Sequence, residues 1–323
     1  MQTERLAERL AENVALAADR IRPCIRSTPL DYSRRFSNES GANVWLKLEN
    51  LQYTGSFKLR GAFNKLLSLT EEERSAGCVV ASSGNHGAAA AHAMAELGVN
   101  GVVFVPEQTS STKVSAIRES AIEVRFFGTD GLDTETHARQ YAERNDMPYI
   151  SPYNDAEVIA GQGTCGVEIA RDLPEVDAVF IAVGGGGLIS GVGASLKSLN
   201  RDVSIVACQP EASPVMTRSV QAGRILELPS DPTLSDGTAG GIEAKAITFD
   251  LCRSIVDDYV LVSEKQIADA MRAFIDAHHM LLEGAAGVAL AGLRARAEQY
   301  RGKNVVVIIC GGNISRETLR QVI

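Results

Sequence analysis

Four short segments bring together residue types that can do chemistry. The first is an apolar run, residues 178–183, that passes into Gly184, Gly185, Gly186 and Gly187 and then, from Leu188, into helical periodicity. Four glycines let backbone approach an anion closely, and a helix N-terminus adds free N–H groups and the positive end of its dipole. No Gly-Lys-Ser/Thr follows, so this is not a nucleotide P-loop. No acidic residue ends a second strand at the distance a dinucleotide site requires. The pattern predicts a cup for a phosphate monoester, with a tight packing turn as the plainer alternative. The second segment is Thr54 to Ala62, in which Lys58 has Phe57 and small residues around it. Such neighbours can strip water from the amine and lower its pKa, as Schiff-base chemistry requires. A lone lysine at a loop-to-helix junction otherwise reads as a solvated charge. The third, Ser82-Ser83-Gly84-Asn85-His86-Gly87, offers successive N–H groups, two hydroxyls and an amide to a carboxylate. Ser83 reads equally as a helix N-cap, and His86 lacks the partners of a hydrolase triad. The fourth is Cys310-Gly311-Gly312-Asn313, whose thiol is either a buried filler or a group facing a ligand.

Strand–helix alternation must position these segments. Apolar runs at 44–49, 78–81, 101–106, 124–127, 178–183, 204–207 and 305–309 predict strands. Helical periodicity covers 3–21, 56–68, 111–120, 132–145, 157–171, 188–199, 213–222, 264–279 and 283–299, with an Ala-rich helix ending at Leu97. Alternation at this spacing implies parallel strands and right-handed crossovers. The fold class is α/β: two doubly wound parallel-sheet domains, with the site where strand C-termini face a crevice. Residues 1–70 plus 148–323 are expected to form a large domain and 71–147 a small one.

Composition narrows the function classes. Hydrophobic residues make up 45% of the 323 and charged residues 22%, ordinary for a globular protein. The formal net charge of -8 argues against nucleic acid or an anionic membrane as partner. The charged N-terminus has no apolar signal core, and no run approaches the roughly 20 apolar residues of a membrane span. Six cysteines, far apart and without a CxxC pair, suit a reducing, cytoplasmic compartment.

Taken together, the segments resemble the fold-type II pyridoxal-phosphate (PLP) enzymes, the tryptophan synthase β-like fold, and among them the serine/threonine dehydratases (ammonia-lyases) and serine racemases. Five segments carry the likeness in family order: Lys47 to Asn50, Gly55 to Ala62, Ser82 to Gly87, Ile159 to Thr164, and Val183 to Leu188. The resemblance implies that Lys58 holds PLP as a Schiff base and removes the Cα proton of the substrate. Phe57 would lie beside the pyridine ring and Asn85 would bond its 3′-oxygen. Gly184, Gly185, Gly186, Gly187 and Leu188 would hold the phosphate, and Cys310 would face the pyridine nitrogen. Ser82, Ser83, Asn85 and His86 would grip the substrate carboxylate, with Ser83 on the ring face opposite Lys58. A neutral thiol at the pyridine nitrogen favours prompt loss of a β-hydroxyl over transamination. The implied reaction is dehydration and deamination of a β-hydroxy amino acid to a 2-oxo acid and ammonia. A racemase on the same scaffold is the alternative, and a PLP- or anion-binding protein without turnover is a third. A homodimer or homotetramer is implied.

Departures from the family pattern refine this. Relatives that bind a divalent cation carry carboxylates where this chain has Gln209 and Val215, so no metal is expected, although Glu211 is close by. The resemblance gives biosynthetic threonine dehydratases a regulatory domain beyond the position of Asn313, where this sequence soon ends, so feedback control by isoleucine is not expected. Tyr153 stands at a variable position around the substrate side chain, and Gly240 and Gly241 leave room beyond what serine needs. Bulkier β-hydroxy amino acids are therefore candidate substrates. Glu283 reads either as a first-turn helix acid or as a neighbour of the cofactor.

Overall fold

The computed structural model describes residues 2–323, with side chains from Arg5 onward. Nine strands form among them: β1 (Leu30–Tyr32), β2 (Asn43–Lys47), β3 (Cys78–Ala81), β4 (Gly101–Val105), β5 (Glu123–Phe126), β6 (Ala178–Ala182), β7 (Ser204–Pro210), β8 (Asp258–Val262) and β9 (Asn304–Ile308). The larger sheet has the order β1-β2-β9-β6-β7-β8, and only the β1–β2 pair is antiparallel. From β6 the chain moves outward to β7 and β8, then returns to lay β9 on the other side of β6. That reversal is a topological switch point, so the loops leaving the C-terminal ends of β6 and β9 part and leave a crevice. The tetraglycine run leaves β6 and Cys310 leaves β9.

Burial on both faces accounts for the β-branched content of the central strands. Val179, Phe180 and Ile181 of β6 and Val305 to Ile308 of β9 are fully buried. The helix Gly284–Ala295 packs on β6 to β9, while Gln2–Ile21, Ala156–Asp172 and Gly187–Leu199 pack together as the other layer. The smaller sheet, β3-β4-β5, is also parallel. After the helix Gly131–Arg144 the chain returns to the far side of β3, where Tyr149 bridges Val79, so this sheet reverses direction too. Leu59, Phe63 and Leu66 of the helix Lys58–Ser68 share the hydrophobic cluster of the smaller sheet, which makes that helix the seam between the two sheets.

Several elements are absent from the periodicity reading. β8 is an edge strand with half-buried Asp258 and Tyr259, so it carries no continuous apolar run. The short helices Arg34–Ser40 and Arg316–Val322 are mostly polar, and Ser33 and Ser315 cap them. The strand expected over 44–49 stops at Lys47, because Leu48 and Glu49 turn inward.

That inward turn builds a buried charge cluster beneath the seam. Arg60, Glu49 and Lys47 are all 0% exposed. Arg60 Nε donates to Glu49 Oε2 at 2.8 Å and Arg60 Nη1 to Glu168 Oε1 at 2.8 Å, while Lys47 Nζ donates to Glu168 Oε2 at 2.5 Å. Thr28 and Thr164 add hydroxyls. Glycines then bring three helices to backbone contact. A Cβ at Gly161 would lie 2.5 Å from the Arg60 carbonyl oxygen, one at Gly163 2.8 Å from that of Gly191, and one at Gly191 2.3 Å from that of Ile159.

Candidate active site

Every residue that the sequence singled out for cofactor or substrate lines one cleft of about 2500 Å3 between the two sheets. Lys58 opens the helix Lys58–Ser68. Its approach is pinned to the end of β9: Ser56 bridges Gly311, and Phe57 N–H donates to the Cys310 carbonyl at 3.0 Å. Gly55 has φ +71 and a Cβ there would lie 2.5 Å from Asn313 Oδ1, so only glycine fits that turn. The Lys58 amine donates to the Pro152 carbonyl at 2.8 Å and lies 5.3 Å from the centre of the Phe57 ring. It reaches cleft solvent, but protein crowds its other sides. Lost hydration lowers its pKa to about 8, against the opposing pull of Glu283 and Cys310. It is not a solvated surface charge.

The glycine loop is shaped by close approach. A Cβ at Gly185 would lie 2.4 Å from the Tyr153 ring and one at Gly184 3.0 Å from Thr238 Cα, while Gly186 has φ +88. The first bond of the helix that follows runs from Ser190 N–H to the Gly186 carbonyl. The N–H groups of Gly187, Leu188 and Ile189 precede it and point out of the helix end. The loop is therefore a cradle of backbone donors whose floor a side chain would fill. Tyr153 is its lid rather than a free wall: its hydroxyl accepts from Glu243 N–H at 2.9 Å, which ties down the loop carrying Gly240. A Cβ at Gly240 or Gly241 would meet nothing within 4 Å, so both face open space.

The turn after β3 differs in detail from the sequence reading. Gly84, not Ser83, is the N-cap of the helix Asn85–Glu96, and no side chain caps it. Ser82 Oγ accepts from Gly84 N–H at 3.2 Å and shapes the turn, while Ser83 has no capping task. The His86 ring is buried, and its Nε2–H donates to the Ile150 carbonyl at 2.9 Å. Burial, with the Lys58 charge adding to it, pushes the imidazole down to about 3, so the ring is neutral and gives a carboxylate no charge. From His86 only the backbone N–H remains for an anion.

Glu283 is the residue that sequence left open. It is the N-cap of the helix Gly284–Ala295, but its side chain makes no capping bond and turns into the cleft. Asn85 Nδ2 donates to Glu283 Oε2 at 2.8 Å, and the Cys310 thiol lies 3.7 Å from Glu283 Oε1. Asn313 Nδ2 donates to Asn85 Oδ1 at 2.8 Å. Burial raises the Glu283 carboxyl to about 7, and burial together with Glu283 holds the Cys310 thiol well above its ordinary range. Cys310 is thus a protonated thiol. Gln209 is buried and accepts from Thr217 N–H and O–H at 2.8 and 2.7 Å.

Comparisons with known proteins point to one family. Residues 21–311 match the family described as pyridoxal-phosphate dependent enzymes. An L-threonine ammonia-lyase of Thermotoga maritima is 38% identical over 312 residues, 97% of this chain and 77% of that protein. The processed threonine deaminase isoform 2 of Solanum lycopersicum superposes with a TM-score of 0.92 at 33% identity, covering 97% of this chain and 92% of that one. The serine racemase of maize superposes with a TM-score of 0.91 at 30% identity, covering 96% and 95%.

The cleft fits pyridoxal phosphate on its own terms. A desolvated amine, a cradle of N–H groups that a Cβ would fill, and a neutral thiol stand around one space. Lys58 would anchor the carbonyl carbon, Gly184 to Leu188 the phosphate, and Asn85 and Cys310 the ring edges. Gly185→Ala is expected to weaken binding of the cofactor by about tenfold or more (~1.4 kcal/mol). Titrating the apoenzyme with pyridoxal phosphate and following visible absorbance measures this, and an unchanged Kd would show that the loop does not hold the phosphate. By family match, by superposition and by the make-up of its cleft, the chain belongs to the pyridoxal-phosphate dependent enzymes.

Proposed function

We propose that this enzyme dehydrates and deaminates a β-hydroxy amino acid, L-threonine or L-serine or a bulkier analogue, to a 2-oxo acid and ammonia. The names of the similar L-threonine ammonia-lyase and threonine deaminase support the reaction class. The observation that carries the reading is a buried thiol, not a carboxylate, at the end of β9: Cys310 lies 3.7 Å from Glu283 Oε1, and burial with Glu283 holds it above its ordinary range. A thiol is a weak acid and a weak donor. It would not force a positive charge onto a ring nitrogen, as a carboxylate would, and so would favour loss of the β-hydroxyl.

When bound, pyridoxal phosphate supplies the electron sink for the pair left at Cα. Lys58, with an amine near 8, takes the Cα proton and can return one to the departing hydroxyl. The N–H groups at the start of the helix Asn85–Glu96 and the Ser83 hydroxyl hold the carboxylate. Tyr153 and Gly240 border the side-chain space, and the open surroundings of Gly240 and Gly241 support substrates larger than serine.

A panel of L-β-hydroxy amino acids, assayed for 2-oxo acid and for D-enantiomer in the recovered substrate, tests the proposal. Steady 2-oxo acid formation with negligible D-amino acid is expected. D-amino acid without 2-oxo acid would establish the racemase reading, which the likeness to maize serine racemase and the presence of Ser83 keep open. A cytoplasmic setting is supported by six free cysteines, none of them in a disulfide. No described helix is long and apolar enough to cross a membrane. A homodimer or homotetramer rests on the family resemblance alone.

A further inference from the structure

We propose that Glu283 is a positioning residue that decides which way the Cys310 thiol points its hydrogen, toward the protein or toward the cofactor ring. The inference deepens the reading of the same site and rests on the assignment of Lys58 and Cys310 to the cofactor.

Three geometric facts carry it. The first is that one carboxyl joins two groups expected at different edges of the ring: Oε2 accepts from Asn85 at 2.8 Å, and Oε1 lies 3.7 Å from Cys310 Sγ. The second is that the chain makes room for it. A Cβ at Gly311 would lie 2.6 Å from Glu283 Oε1 and 2.7 Å from Cδ and Oε2, so the residue after Cys310 must be glycine for this carboxyl to sit here. The third is that Glu283, although it stands at a helix N-cap, makes no capping bond and sends its side chain into the cleft instead. Its backbone N–H donates to the Gly311 carbonyl at 3.0 Å, which fixes it against the strand end that bears Cys310.

The groups facing this carboxyl come from every element around it. Lys58 comes from the seam helix, Cys310 from the end of β9 and Asp236 from the turn Asp236–Thr238. Asn85 comes from the helix after β3 and is followed there by the neutral His86. Burial dominates and brings the carboxyl to about 7; Asp236 raises it further, while Asn85, Cys310 and Lys58 act against. Above that pH Glu283 is a carboxylate and accepts from both Asn85 N–H and Cys310 S–H. The thiol then offers only lone pairs to the ring. Below it, Glu283 has gained one proton from solvent. One oxygen still accepts from Asn85, and the other no longer draws the thiol hydrogen, which is free to turn to the ring nitrogen.

The test needs no substrate. The visible absorbance of the holoenzyme is titrated between about pH 5.5 and 9 for the wild type, Glu283→Gln, Cys310→Ala and the double variant. Glutamine keeps an acceptor for Asn85 but cannot ionise. The wild type is expected to inflect near pH 7, Glu283→Gln and Cys310→Ala to lose the inflection, and the double variant to match either single one. Should Glu283→Gln fail to hold cofactor, Glu283→Asp carries the test: its shorter carboxyl moves away from Cys310, and the inflection must shift. A flat wild type, an inflection that survives in Glu283→Gln or Cys310→Ala, or one unmoved in Glu283→Asp overturns the proposal. A wild type with no visible band overturns the Lys58 anchor and this inference with it, whereas a titrating Glu283→Gln overturns this inference alone.

Discussion

Lys58→Ala is expected to fold normally and to lose both the visible absorbance of bound cofactor and at least about three orders of magnitude in kcat. The fold is expected to survive because the Lys58 side chain makes a single hydrogen bond, to the Pro152 carbonyl, while the helix it opens is held by Leu59, Phe63 and the Arg60 cluster. Removing a half-buried amine of lowered pKa leaves no unpaired charge behind. The loss of activity has two sources. Proton transfer by a positioned base contributes about 10²–10⁴-fold, and the covalent anchor goes as well. Absorbance spectra, single-turnover kinetics and circular dichroism together check the expectation. A variant that retains the band would move the anchor to another lysine. Burial lowers the Lys58 pKa, so its neutral form should persist to lower pH than a surface lysine's. In the free enzyme, methylation of this amine should therefore rise with pH through about 8 rather than near 10.5.

Arg60→Met should be the most damaging substitution away from the chemistry, costing about 3–5 kcal/mol of stability. Arg60 is completely buried and donates to Glu49 through Nε and Nη2 and to Glu168 through Nη1 and Nη2. Methionine fills much of the same volume but leaves Glu49 buried with Lys47 as its remaining charged partner. The Glu49 carboxyl now lies below its usual range, its burial outweighed first by Arg60 and then by Lys47 and Thr28. Without Arg60 it must take up a proton or drag water inward. A fall in Tm of roughly 5 °C is expected for a chain of this size, largest at neutral pH. The sign follows from Glu49. A depressed folded pKa stabilises above the unfolded value and is lost as pH falls through the folded one, so acid should narrow the gap between variant and wild type. Thermal melts at pH 7 and pH 4 decide it, and equal gaps would show that the Arg60–Glu49 pair contributes nothing through charge.

The chemistry was more legible in the sequence than the support for it. Four glycines after an apolar strand already specify a backbone cradle, because no other residue permits φ +88 at Gly186 or the Tyr153 ring against Gly185. Lys58 gained its meaning from the other segments, since a single lysine carries no periodic signal. The Lys47 to Asn50, Arg60-Gly61 and Gly161 to Thr164 segments read as family markers, yet they supply the buried charges and the helix contacts, not the reaction. Nothing in local sequence reveals that, because their partners lie far along the chain. Glu283 was ambiguous for a physical reason: an acid at the start of a helix complements the positive end of its dipole, and only the missing Cβ of Gly311 shows why it faces inward. His86 lines the cleft, but the bond of its ring to Ile150 depends on the return of the chain beside β3, which no local pattern shows.

The glycines of the central helices have a mechanical consequence. With Gly161, Gly163 and Gly191 allowing main chain to rest on main chain, the helix that starts at Lys58 and the helix that follows the glycine loop are braced through Ala156–Asp172, with the Arg60–Glu168 and Asn64–Glu157 bonds alongside. If Lys58 and the glycine loop hold opposite ends of one cofactor, both ends would be fixed to a single stiff strut. Such a strut leaves little room for the anchors to breathe against each other when a substrate enters or a product leaves. The Ser82–His86 turn belongs to the smaller sheet and stands outside that brace.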